Sequence, residues 1–412
     1  MIENYTRHAG NQRLASPECE SFRSDPGLLR THLTRFVLTV AFLILGLLPA
    51  LAQVSVSSSG GTTTGTYATV NAAFTAINAG THTGAITVTV TANTTEPVTP
   101  VPLLASGTAS SSYTGITIKP GSSGIVINGN ASPTTGRAIL ELQGADNVTI
   151  DGSSNGTTSK DLTIQLPSST TASLACIRLS SNSTTGADGA NNNTVKNCII
   201  IGSRSSSTST VANYGIVFSN AAAAITTSTG AYSSLNTIIS NNNITRCYYG
   251  IYAQGTSTTY PNTGLQITGN TLGTPVSGTF ADDTTIGNRG IFLSYTAATT
   301  GGAIVSGNDI RAGVSATGYS ASVAGIEVSN VNYGITIDRN NIHDISQPST
   351  SGYGAHGIYV SSATNNTLST ITNNFIRNCT MITYQTSSSS TFIPTGVYLS
   401  LIHISEPTRR TP

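Results

Sequence analysis

Two short hydrophobic patterns recur along the chain in a fixed order. The first is glycine, an aliphatic residue, any residue, then an aliphatic or small one. It reads Gly215-Ile216-Val217-Phe218, Gly250-Ile251-Tyr252-Ala253, Gly290-Ile291-Phe292-Leu293, Gly325-Ile326-Glu327-Val328, Gly357-Ile358-Tyr359-Val360 and Gly396-Val397-Tyr398-Leu399. Successive glycines are 35, 40, 35, 32 and 39 residues apart. The second pattern lies between these: an aliphatic, two residues, asparagine, one residue, an aliphatic. It runs Ile239 to Ile244, Ile267 to Leu272, Val305 to Ile310, Ile337 to Ile342 and Ile371 to Ile376. The asparagines are Asn242, Asn270, Asn308, Asn340 and Asn374, and an earlier copy, Val195 to Ile200, has Cys198 in their place.

Alternation with period two predicts short strands with one aliphatic face turned inward. A unit that returns about every 35 residues, cut by Asn and Gly turns, predicts a solenoid of stacked parallel strands. Unequal spacings between constant anchors predict coils of one cross-section with loops of varied length. Asparagine at one turn of successive coils can form a ladder, each amide bonding the next, and it tolerates the left-handed turn. Cys198 is expected to continue that column as a small buried hydrophobe.

The same alternation sets out two outward columns, with coils about 4.8 Å apart. One is Val217, Tyr252, Phe292, Glu327, Tyr359 and Tyr398, rings interrupted by a carboxylate, a pattern that suits sugar contact or ring-on-ring packing. The other is Thr245, Gly273, Arg311, His343 and Arg377, the last three offering donors to an anion or serving as solubilising charge beside Asp309 and Asp344. His82 has no companions in the sequence. Nearer the N-terminus, residues 66–78 carry apolar side chains at 70, 73, 74 and 77, which predicts an amphipathic helix of about three turns. An alternating strand, Ala85 to Val90, follows it.

With these repeats in place, residues from about 110 to 400 resemble the right-handed parallel β-helix of the pectin-lyase-like superfamily. The helix at 66–78 resembles the element that plugs the first coil of such solenoids. The stretch 65–150, with Thr95-Glu96-Pro97 and Asn147-Val148-Thr149-Ile150-Asp151-Gly152, looks like bacterial surface β-helix proteins. The fold class expected is therefore all-β, a right-handed single-stranded parallel β-helix with an N-terminal capping helix. The resemblance also says which catalytic motifs to seek. Gly354-Ala355-His356-Gly357 is a partial echo of a polygalacturonase motif without a second acid, and no tryptophan is available for an esterase motif. A pectate-lyase site needs carboxylates on calcium and a base. Asp282 and Asp283 with Arg289 form the nearest cluster, and calcium is expected only under that alternative. No spacing suggests another metal or cofactor.

The ends differ from the middle. Residues 36–52, FVLTVAFLILGLLPALA behind Arg30, His32 and Arg35, read as a secretory signal peptide cleaved after Ala52. The resulting division is leader 1–52, cap 53–110, repeats 111–398 and a tail 399–412. That tail resembles a translated sequencing adapter, so the native chain is expected to continue past it. The exported part holds Cys176, Cys198, Cys247 and Cys379, for which a structural role is expected and a Cys247–Cys379 bridge is not.

Composition narrows the partners. Charged residues make up 8% of 412, and 18 Lys and Arg face 17 Asp and Glu. Ordinary domains carry roughly 25%. No basic face is available to neutralise phosphates, so a nucleic-acid partner is excluded. The expected function is an exported, non-catalytic β-helix surface protein for adhesion or polysaccharide contact, with no stable membrane span after cleavage. The alternatives are a polysaccharide lyase or glycoside hydrolase, or the stalk of a larger protein.

Overall fold

The computed structural model describes residues 52–130, 137–167, 173–184, 188–203, 212–225, 227, 230–273, 285–297, 300–313, 321–330, 332–347, 353–360, 368–381 and 394–399. The leader up to residue 51, Asp282, Asp283 and residues 400–412 lie outside them.

The described chain winds as a parallel β-helix. Each coil contributes one short strand to each of three sheets, called A, B and C in the order the chain meets them. Coil 1 is built from His82–Val90, Thr94–Thr95 and Leu103–Leu104, and coil 9 from Thr370–Thr372, Phe375–Met381 and Thr395–Leu399. Among the described residues every sheet is nine strands deep in these coils, all paired in parallel. The coils thus begin at residue 82, well before 111. Inward aliphatics such as Val195, Ile239, Ile267 and Val305 are fully buried in one continuous core. In coil 9 the corresponding positions Val397 and Leu399 are 42% and 43% exposed, whereas Ile358 and Val360 one coil earlier are buried.

The recurring glycine has a steric cause. It lies near the start of the sheet-C strands of coils 4 to 9, where neighbouring coils approach backbone to backbone. A Cβ on Gly290 would lie 2.5 Å from both the Gly325 carbonyl oxygen and Ile310 Cγ2, so no side chain fits.

The asparagines sit at the A-to-B turn. Asn242, Asn270, Asn308 and Asn340 each give Nδ2–H to the Oδ1 of the next coil's asparagine at 2.9–3.0 Å. Their backbone N–H groups donate to the same oxygens at 2.9–3.0 Å. The second Nδ2 hydrogen goes back one coil, as from Asn308 to the Ile267 carbonyl at 2.9 Å. Cys198 is fully buried at the head of the column, and its backbone N–H donates to Asn242 Oδ1 at 2.9 Å. The preceding residue is left-handed on each of coils 4 to 9: Asn197, Asn241, Gly269, Gly307, Arg339 and Asn373 all have φ between 53° and 65°. Glycine and asparagine pay least for that conformation, which explains why they recur.

The N-terminal end is covered. Strand Val54–Gly61 pairs antiparallel with Thr64–Tyr67 and with the first strand of sheet A. The helix, α1, spans Val70–Asn78, and buries Val70, Ala73, Phe74 and Ile77. It starts four residues later than the apolar pattern suggested, because 64–67 are drawn into the hairpin and Thr69 caps the helix through Ala72 N–H at 3.0 Å. Glu96, 1% exposed, seals this end: its carboxylate accepts from Val70 N–H (3.2 Å), Asn71 N–H (2.9 Å), Asn71 Nδ2 (2.7 Å) and Thr94 Oγ1 (2.8 Å). A negative charge there also meets the positive pole of the helix.

Candidate functional site

Sheet C carries the chemistry. Its strands leave two outward columns in register over coils 4 to 9. One holds Tyr214, Tyr249, Arg289, Ala324, His356 and Thr395; the other holds Val217, Tyr252, Phe292, Glu327, Tyr359 and Tyr398. The second is the column read from the repeats. The sequence carries a simple signal for the first as well: all six of its members stand directly before a repeat glycine.

The rings of both columns touch. Tyr252 and Phe292 stack at 4.3 Å between centroids with 12° between planes, and Tyr214 and Tyr249 stack at 5.3 Å and 13°. Tyr252 meets Tyr249 edge-on at 4.9 Å. A second cluster joins His356 to Tyr359 at 4.8 Å and Tyr359 to Tyr398 at 5.1 Å, the latter tilted by 46°. Stacking across coils hides the faces of Tyr252 and Phe292 from each other's solvent side, so these rings stabilise the solenoid as a ladder would. Burial pushes the Tyr252 phenol up to about 12, and the Tyr214, Tyr249 and Tyr359 phenols are raised for the same reason. All four stay neutral at physiological pH.

Between the two ring clusters lies an ion pair. Arg289 Nε donates to Glu327 Oε2, and its Nη1 donates to the Ser322 carbonyl. The residues are 9% and 7% exposed. Glu327 was expected on an open surface and Arg289 beside Asp282 and Asp283 in a loop. Arg289 instead lies within the strand Arg289–Ser294, one coil below Glu327, and the pair satisfies itself under the rings. A similar arrangement precedes it on coils 2 and 3: Arg178 Nη1 is 3.4 Å from Glu141 Oε1, with Arg137 3.1 Å from Oε2. Arg178 is fully buried, donating to Ser219 Oγ at 2.6 Å and the Ala222 carbonyl at 2.7 Å.

The other expected column lies on sheet B, with Arg311, His343 and Arg377 on three successive coils. Arg311 and His343 are each 4% exposed, and Arg377 is exposed. His343 is bracketed: Nε2 lies 2.7 Å from Asp309 Oδ1 and Nδ1 2.7 Å from Asp344 Oδ2. Asp309 and Asp344, the acids expected beside this column, thus hold His343 from both sides. His82 also has partners. Its Nδ1–H donates to the Thr62 carbonyl at 2.5 Å, leaving Nε2 to accept from Tyr67 Oη at 2.6 Å, which pins the N-terminal hairpin. Among the described residues no cluster of three or more His, Cys, Asp or Glu is placed to hold a metal ion. Cys176, Cys198, Cys247 and Cys379 are all free thiols, the first three buried.

No protein-family model matches the sequence, and no curated protein matches it. Among solved structures, the A-module of mannuronan C-5 epimerase AlgE4 from Azotobacter vinelandii is similar at 13% identity, covering 77% of this chain and 90% of that one with a TM-score of 0.30. The fold assignment stands on the sheet register of the chain itself.

Proposed function

We propose that this chain is exported and works outside the cell as a non-catalytic β-helix that contacts polysaccharide along sheet C. The observation that carries the reading is the in-register column Phe292, Glu327, Tyr359 and Tyr398, a linear array of half-buried rings and polar groups one coil apart. A linear polymer suits a linear array, and aromatic groups with an apolar body and a polar tip are well matched to sugars. The lyase or hydrolase alternative is weakened on a specific point, because its basic residue, Arg289, is committed to Glu327. The ring stacking of Tyr252 on Phe292 favours a second reading, a structural stalk in which sheet C serves stiffness alone.

The test is binding of the chain from Gln53 onward to a polysaccharide array, beside Tyr359→Ala with Tyr398→Ala. Retention by the wild type and its loss in the variant, with the fold intact by circular dichroism, supports contact; no retention by either favours the stalk. Ultraviolet-absorbing, calcium-dependent product would overturn the non-catalytic reading. Export is tested by expressing the whole chain and sequencing the N-terminus of the secreted form, expected at Gln53.

A further inference from the structure

The proposed contact face leaves open which polysaccharides it accepts, and the arrangement of charge on sheet C bears on that choice. Along the outward column the charged residues are Glu141, Arg178 and Glu327, with Arg289 beside them in the neighbouring column. They fall into two oppositely charged pairs, Arg178 with Glu141 and Arg289 with Glu327. Of the other members of this outward column, Tyr252 and Tyr359 are held neutral by burial, and Val217 and Phe292 have no polar group.

Resting on the reading of sheet C as a polysaccharide contact face, we infer that its ligand is an uncharged polysaccharide, and that the Arg289–Glu327 pair is what excludes acidic ones. An acidic sugar must draw on a cation. The arginine of this stretch is Arg289, and engaging it from outside means pulling it from Glu327, a carboxylate 7% exposed. Separating a buried pair leaves an uncompensated charge, which costs on the order of a hundredfold or more in affinity. A neutral sugar asks nothing of the pair and meets ring edges and hydroxyls that are already in place. Selection here operates by repelling the wrong ligand rather than by reaching for the right one.

This reverses on a single substitution. Glu327→Gln keeps the size of the side chain but leaves Arg289 positively charged and available beneath the rings. The experiment measures affinity for a soluble neutral glucan and for polygalacturonate, by affinity electrophoresis, for the wild type and Glu327→Gln. For the wild type the expected result is binding of the neutral polymer, unchanged between about 50 mM and about 500 mM salt, with polygalacturonate at least about tenfold weaker. In Glu327→Gln the ratio shifts toward polygalacturonate by about tenfold or more, and that gain is lost at high salt. Glu327→Ala frees Arg289 in the same way and is expected to show the same shift, so it carries the test if Glu327→Gln does not fold; an unchanged ratio there overturns the inference too. Wild-type preference for the acidic polymer, or a folded Glu327→Gln with an unchanged ratio, overturns the inference. Polygalacturonate binding that disappears in Tyr359→Ala overturns it while leaving the contact face standing. Binding of neither polymer overturns both.

Discussion

Asn308→Ala probes the turn column at its centre. Asn308 is 1% exposed and occupies the middle of five stacked amides. Its Oδ1 accepts from Asn270 N–H at 2.9 Å and from Asn270 Nδ2 at 3.0 Å, while its Nδ2 donates to the Ile267 carbonyl at 2.9 Å and Asn340 Oδ1 at 2.9 Å. Truncation removes these four bonds and a longer one from Nδ2 to the Ser306 carbonyl at 3.3 Å, but the losses are unequal. Asn270 Nδ2 keeps the Ile239 carbonyl, and Asn340 Oδ1 keeps the backbone N–H of residue 308. The Asn270 backbone N–H and the Ile267 carbonyl lose these bonds inside a turn where water does not reach. At roughly 1–3 kcal/mol for each buried group left without its bond, the expected destabilisation is about 4 kcal/mol. Urea unfolding followed by circular dichroism measures it, with Thr336→Ala on the outward side of sheet A as a control expected to lose less than about 0.5 kcal/mol. A stacked array can unfold in stages, so the early transition is the one to compare. A loss below about 1 kcal/mol for Asn308→Ala would refute the claim that the column stabilises the coils through its side chains.

Three further outcomes are expected. Gly290→Ala places a Cβ against the Gly325 carbonyl and Ile310, and should cost about 1–3 kcal/mol, seen as a lower melting temperature, whereas Gly396→Ala, at the same repeat position in coil 9 with Ile376 Cγ2 nearest at 3.9 Å, should leave it nearly unchanged. Glu96→Ala strips the acceptor from two backbone N–H groups at the start of α1 and should destabilise the N-terminal end by about 3 kcal/mol, visible as faster amide exchange over Val70–Asn78 than in coils 5 to 7. The tyrosine cluster should make stability fall at alkaline pH. An unfolded phenol ionises near 10, the folded Tyr252 only at about 12, so the stabilising contribution is complete below pH 10 and is lost as pH rises towards 12. Urea midpoints flat from about pH 9 to about pH 11 would contradict this burial.

Much of this fold was legible because a solenoid writes its cross-section repeatedly. The glycine, the turn asparagine and the inward aliphatics each occupy a position that recurs once per coil, and the register of the sheets follows from aligning them. What one repeat could not reveal is which outward columns lie side by side. Arg289 stands before its glycine and Glu327 two residues after its own, so no single pattern holds both, and only the stacking of coil 6 beneath coil 7 brings them together. The burial of Arg311 and His343 escaped for a related reason: Asp309 belongs to one coil and His343 to the next. The N-terminal cap was legible as a helix from its apolar period but not in extent, since the hairpin that claims Thr64–Tyr67 is fixed by a partner strand rather than by local propensity. Glu96 gave no periodic signal at all, as it caps an element 25 residues upstream.

The asparagine column also fixes how the molecule behaves under tension. Pulled along its long axis, the solenoid loads its coil-to-coil bonds in series, so within that column the joint with the fewest bonds sets the force at which neighbours part. Between Asn242 and Asn374 each joint carries two bonds to the same amide oxygen, one from backbone and one from side chain. Between Cys198 and Asn242 the thiol side chain supplies no second amide, and the backbone N–H alone reaches Asn242 Oδ1. The junction of coils 4 and 5 is therefore the weakest joint between Cys198 and Asn374 in this column, and a bond beside it, from Asn241 Nδ2 to Asn197 Oδ1 at 2.7 Å, ties the same two coils.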